Sequence, residues 1–213
     1  MAAGCGQRAG HARAWGYRRR VRFDDLFDDL ESQLEAELGA HERDTLAEEE
    51  RFRVGRLELQ ERLRAAPRSL DLRLRSGERL RIERLAIGKD WLSGTIRDGA
   101  ADGAGCIVPT RSIAGVRLDE DAVVRSLESA EPRPGEQPSL AARLSLGFAL
   151  RDLSRRRTPV ELRCPARLHG TIDRVARDHL DLAIHEPGTS RHPRHVTGVE
   201  LVPFAAIDWV RLP

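Results

Sequence analysis

His185, His192 and His195 lie within eleven residues of one another, beside Arg191 and Arg194. The His192-Pro-Arg-His195 spacing would bring two imidazoles toward one metal ion. Zinc needs about four ligands, and Glu186 is the only nearby carboxylate. The stretch therefore reads as a loop that becomes more cationic near pH 6, with no metal. Gly99-x3-Gly103-x-Gly105 is glycine-rich but stands between strand-like runs. It lacks the following helix N-terminus that makes a phosphate cradle. Asp90 and Asp178 each precede a strand-like run, where an Asp holds a turn by accepting backbone N–H groups. Ser, Thr and His residues are too dispersed to pair a nucleophile with a base. The residues point to no enzyme and no cofactor.

The chain repeats itself. Leu72, Leu80, Asp90, Val108-Pro109, Ile113, Val116-Arg-Leu118 return as Val160, Leu168, Asp178, Val202-Pro203, Ile207, Val210-Arg-Leu212. The offset is 88 residues as far as the Asp and 94 from Val-Pro onward, so six residues are inserted between. What recurs is mostly apolar or turn-forming; what differs is more informative. His179 stands in the place of Trp91, and Trp209 in that of Gly115. Trp91, His179 and Trp209 are therefore the candidate partner-binding residues, either between the two halves or toward another protein. Arg155, Arg156, Arg157, Arg191 and Arg194 are the candidates for contact with nucleic acid.

Charge is distributed unevenly. Residues 23–50 carry twelve acids against Arg43, a net −11, while residues 1–22 carry six arginines and no acid. With a total of +2, the remainder of the chain is at +7. Lys89 is the single lysine and no Asn occurs, a skew that suggests a GC-rich genome. Cys5, Cys106 and Cys164 are odd in number and fit no ligand spacing. Cys106 and Cys164 sit in apolar strand-like runs and read as buried thiols, and reduced cysteines fit a cytoplasmic protein. No run approaches the roughly 20 apolar residues of a membrane span, and no hydrophobic core follows the basic start.

These residues need elements to position them. Residues 1–20 lack periodicity and read as a leader: a disordered basic tail, or a translated ribosome-binding sequence ahead of a GTG start at Val21. Residues 21–67 form an acidic helical arm. Its first helix carries Phe23, Leu26, Phe27, Leu30, Leu34 and Leu38 on one stripe and stops at Gly39. A second helix runs from Asp44 to Ala66, with Asp44 as N-cap, Glu49–Arg53 and Glu58–Arg62 pairs, and Pro67 as terminator. Such a mostly polar arm packs on a barrel or on a second copy. Residues 68–120 alternate as five short strands around Leu70–Leu74, Leu80–Leu85, Trp91–Ile96, Cys106–Val108 and Ile113–Leu118, the signature of a small, bent barrel. Residues 121–138 are a linker. A helix over 139–157, capped by Ser139, buries Leu140, Leu144, Phe148, Leu150 and Leu153. Residues 158–213 form the second barrel. The fold class is α+β, mainly β.

A helix leading into five short strands, with a Gly turn, an Asp before the third strand and a Val-Pro-x3-Ile-x2-Val ending, resembles the Sm-like and SH3-like small barrels. The resemblance covers roughly 70–118 and 160–212 and implies two tandem five-stranded barrels, each preceded by a helix. The RNA-binding Asn and basic-Gly pair of Sm-like proteins have no counterpart here, so no nucleotide pocket carries over. The whole chain, with its Arg-Phe-Asp-Asp-Leu-Phe-Asp-Asp-Leu-Glu opening, also resembles uncharacterised actinobacterial proteins. The expected function is a non-catalytic binding or scaffold protein that engages a protein partner, or itself as a homodimer, through the barrels. The second reading is a nucleic-acid-binding regulatory protein whose acidic arm is autoinhibitory.

Overall fold

The computed structural model describes residues 23–128 and 140–213. The leader, the Ser139 cap and the Pro-rich stretch of 129–139 lie outside them. The chain forms two compact units, one ending at Gly55 and the other running from Arg56 to Pro213.

The described residues of the first unit form a single helix, α1 (Phe23–Gly55). It passes through Gly39 and Asp44 without a break, because Gly in a helix costs only about 1 kcal/mol and an Asp in mid-helix need not cap. The break falls instead at Gly55, and on the arm Arg53 pairs with Glu50, three residues apart, at 2.6 Å. Phe27, Leu30, Leu34, Leu38, Leu46 and Phe52 are all exposed on α1.

The second unit opens with α2 (Leu59–Ala65), where the Glu61 carboxylate accepts the Glu58 N–H at 2.8 Å. Arg84 closes its C-terminal end, donating to the Arg64 and Ala66 carbonyls, where a cation suits the helix dipole. Ten strands follow: β1 (Ser69–Leu74), β2 (Arg79–Ile87), β3 (Trp91–Ile96), β4 (Gly105–Pro109), β5 (Ile113–Arg117), β6 (Pro159–Arg163), β7 (Arg167–Val175), β8 (His179–Ile184), β9 (Gly198–Pro203) and β10 (Trp209–Arg211). Among the described residues three helices separate the two sets: α3 (Glu120–Glu128), α4 (Leu140–Arg143) and α5 (Leu146–Arg156). The segment read as linker thus begins with α3, which Asp119 caps by accepting the Ala122 N–H at 2.7 Å.

The two expected closed barrels are not formed. All ten strands belong to one antiparallel sheet in the order β5-β1-β2-β3-β4-β10-β6-β7-β8-β9. The reason is the central pair. β10 bonds to β6, but it also pairs with β4 of the other half, Val210 opposite Ile107 and Arg211 opposite Cys106. Alternate residues of β4 and β10 then face different cores. Cys106, Val108 and Trp209 enter a core with Leu70, Leu72, Ile82, Leu92 and Ile96. Ile107 and Val210 enter the other, with Leu146, Leu150, Val160, Leu162, Leu180 and Val202.

Register also corrects the internal alignment. Leu72 faces Leu80 in β1–β2, whereas Leu162, not Val160, faces Leu168 in β6–β7. The second hairpin is two residues shorter, and β6 answers β1 at an offset of 90. Leu85, expected inside, is 71 % exposed because β2 bulges between Arg84 and Ala86, and a bulge re-aims the side chains around it. The helix expected over 139–157 is interrupted at Leu144–Ser145, and it leaves Leu140 and Phe148 exposed while burying Leu146, Leu150 and Leu153. Gly170 is required by close approach: a Cβ there would lie 2.2 Å from the Ala183 carbonyl oxygen across the β7–β8 pair.

Trp209, 1 % exposed, fills the first core from the second half of the chain. W209A should destabilise the second unit by about 3–5 kcal/mol, the usual range for emptying a large aromatic site. Urea unfolding followed by far-UV circular dichroism measures this, and an unchanged midpoint would refute the tie.

Candidate functional site

The candidate partner-binding residues sit where the halves meet and at one free edge. The tryptophans are exchanged between cores. Trp209 of β10 packs in the first core and donates its indole N–H to Glu78 Oε2 at 2.9 Å. Trp91 of β3 packs in the second core and donates its indole N–H to the Leu144 carbonyl at 3.0 Å. Neither indole is presented to solvent, at 1 % and 8 % exposure. Both act as internal ties.

The turn before Trp91 also grips the approach to α5. The Lys89 N–H donates to the Leu144 carbonyl at 2.8 Å, and Asp90 Oδ1 accepts the Leu146 N–H at 2.6 Å. Ser145 is the N-cap by position, but its side chain makes no cap bond. Asp90 therefore caps α5 from 56 residues away, a role that no local pattern could disclose. Gly88 makes room for this arrangement, since a Cβ there would fall 2.1 Å from the Trp91 indole nitrogen.

His179 and Asp178 occupy the corresponding turn of the second half and face a different environment. Asp178 Oδ1 meets His179 Nδ1 at 2.8 Å, and this contact holds the Asp178 carboxyl below its ordinary range. Together with Leu201 and Pro203 they line a shallow depression of about 230 Å³. α5 reaches this turn through Arg151, which donates to the Ala176 carbonyl at 3.2 Å.

The arginines named for nucleic acid divide. Asp173 gathers Arg191, which grips it at 2.6 Å, and Arg157 and Arg174 also lower its carboxyl pKa. Arg156 pairs with Asp152 at 2.8 Å. Arg155 is exposed at the end of α5, and Arg194 donates to His195 Nε2 at 3.2 Å. Arg157 and Arg191 are thus brought into one cluster, and the others are not.

A second cationic group went unrecognised in the sequence. The Glu161 carboxylate lies 3.0, 3.3 and 3.8 Å from Arg163, Arg167 and Arg211. Glu161 Oε1 and Arg163 Nε face each other outside hydrogen-bonding angles, so charge rather than direction joins them. Arg163 also stacks over Trp209, 5.4 Å from the ring centroid. Arg163, Arg167 and Arg211 line a groove of about 310 Å³ with Arg79, Glu78 and Asp98. Alternation in β6 and β10 hinted at the exposed face, but only the β6–β10 pairing brings these charges together.

The histidines of the inserted loop are held in separate contacts. His185 is buried and satisfied: its Nε2 meets Thr171 Oγ1 at 2.9 Å and its Nδ1 meets the Glu186 carbonyl at 3.1 Å. His192 and His195 stand apart from it, their rings 5.8 Å from each other. Among the described residues no group of three His, Cys, Asp or Glu side chains is placed to hold a metal. Burial pushes the Cys106 thiol up to about 11, which keeps it protonated at neutral pH. Cys164 is only partly buried and donates to the Ala166 carbonyl at 2.9 Å. Among the described residues no helix is long and apolar enough to cross a membrane.

A cleft of about 790 Å³ opens beside β5. Leu59 and Leu63 of α2, Val116 and Leu118 beside β1, and Val123 of α3 supply its apolar lining. Arg62, Arg73, Arg81 and Arg117 supply its charge, offset by Asp71 and Asp98.

Two expectations test this geometry. D90A should cost about 1 kcal/mol through the lost cap, and G88A should cost more by displacing the Trp91 indole; thermal unfolding measures both. Asp173 has its pKa lowered below the ordinary 3.8, chiefly by its bond to Arg191. The pair therefore stabilises the fold above pH 3.8 and loses that contribution as pH falls through the folded value. D173N should be less stable than the native chain at pH 7 by about 1 kcal/mol, and the gap should close in acid. A gap independent of pH would contradict the ion pair. Comparison of the chain with protein families, with characterised proteins and with solved structures finds no match in any of the three.

Proposed function

We propose that the chain is a non-catalytic binding protein that engages a protein partner. The observation that carries this reading is the stripe of Phe27, Leu30, Leu34 and Leu38, all exposed on a strongly acidic helix. An isolated helix gains its stability from packing an amphipathic face, and contiguous exposed apolar side chains mark an interaction surface. The apolar cleft beside β5 offers the second unit a surface of the same kind. The polar residues of the site serve the reading as structural devices: Asp90 caps a helix, His185 satisfies a buried network and Glu161 joins three arginines.

Nucleic-acid binding is the second reading, favoured by the clustering of Arg157, Arg174 and Arg191 around a single carboxylate. One preparation separates the two. A protein binder purifies with an absorbance ratio at 260 and 280 nm characteristic of protein, and captures a partner from its native cell extract that L30E/L34E fails to capture. A nucleic-acid binder carries absorbing material that salt releases, because phosphate contacts weaken steeply with ionic strength. Co-purifying nucleic acid with unaltered capture by L30E/L34E would overturn the protein-binding reading.

A further inference from the structure

Among the described residues the sheet ends on two strands with no neighbour on their outer side, β5 and β9. Each is the counterpart of a strand in the central seam. Val202-Pro203 of β9 answers Val108-Pro109 of β4, and Val116-Arg117 of β5 answers Val210-Arg211 of β10. The partners across the neighbouring strand agree: Val116 faces Leu72 and Arg117 faces Asp71, as Val210 faces Leu162 and Arg211 faces Glu161. The seam inside the chain is β4 against β10. The same seam can therefore form once more, between the β9 of one copy and the β5 of the next.

We propose that this chain assembles head to tail with a second copy of itself, β9 of one adding antiparallel to β5 of the other. Transferring the register of the seam sets the contacts. Val210 opposite Ile107 becomes Val116 of one copy opposite Leu201 of the other, and Arg211 opposite Cys106 becomes Arg117 opposite Glu200. The first is an apolar pair and the second an opposite-charge pair, each favourable across strands.

Burial agrees. Val108 and Val202 are both buried in the core of their own half. Ile107 is 5 % exposed because the other half covers it, whereas its counterpart Leu201 is 64 % exposed and Val199 beside it 53 %. Leu201 would enter the cleft beside β5, against Val116, Leu118, Leu59 and Leu63, as Ile107 enters the second core. An edge with two such apolar side chains and unpaired backbone groups is a template for strand addition. Val199 takes the place of Gly105, whose added Cβ would stand 3.3 Å from Leu212, so the counterpart Leu118 must shift slightly. The new seam also lacks both exchanged indoles, since His179 replaces Trp91 and Gly115 replaces Trp209. It is therefore weaker than the internal seam and reversible. Because the two surfaces differ, the contact is heterologous and generates a ring or an open chain of copies.

This inference rests on the protein-binding reading and names its partner. Sedimentation velocity on the full chain, over a hundredfold range of concentration, tests it. The native chain should rise with concentration above the 23.8 kDa of one copy. R117E and E200R should each lower the association at least tenfold, since each sets like charges opposite one another. R117E/E200R together should restore it, because the exchanged charges of two copies attract again across the seam. Circular dichroism confirms that the surface variants fold. A single-copy mass at every concentration overturns the proposal. So does an oligomer indifferent to both reversals, the result expected if α1 alone associates. A single-copy chain that still captures a partner through Leu30 and Leu34 removes the second copy and leaves the protein-binding reading standing.

Discussion

The rest of the second unit depends on one antiparallel contact, β4 against β10. It is short, joining Val210 to Ile107 and Arg211 to Cys106. Because side chains alternate across a strand, two adjacent residues of each strand serve two different cores. Val108 and Trp209 complete the first core, Ile107 and Val210 the second. Neither half can bury its apolar residues without the other. That shared wall turns ten short strands into one sheet.

The exchanged tryptophans extend the same constraint beyond the strands. Trp209 reaches across to Glu78, and Trp91 reaches across to the Leu144 carbonyl beside the Asp90 cap of α5. Each indole buries a large apolar area and satisfies its one donor, the condition under which a buried Trp is stabilising. Charge is arranged around this frame rather than within it. Glu161 and Asp173 each hold several guanidinium groups at the margin of the sheet, leaving a net positive surface.

The proposed function rests on the surfaces that are left uncovered. The apolar stripe of α1, the cleft beside β5 and the β9 edge are all exposed, while Asp90, His185 and Glu161 are each engaged in structural contacts. The internal seam is itself a binding interface of known register. Its unpaired counterparts at the two ends of the sheet are consequently the surfaces for which a partner can be specified residue by residue.

Much of the local structure was written in the sequence. Alternation around Leu70–Leu74 and Val160–Leu162, the turn at Gly77 and the recurrence of Val-Pro determined where strands lie, because period and turn chemistry are local properties. Other features depend on residues far apart in the chain. That β10 joins β4 as well as β6, that Asp90 caps α5, and that Trp91 and Trp209 trade cores are decisions of packing, invisible to any window of neighbouring residues. The sequence by itself determined two similar sets of strands with one indole each. Only the tertiary structure decided that they share a sheet, since a half-formed core is stabilised by whichever apolar wall completes it, and here the nearest wall belongs to the other half.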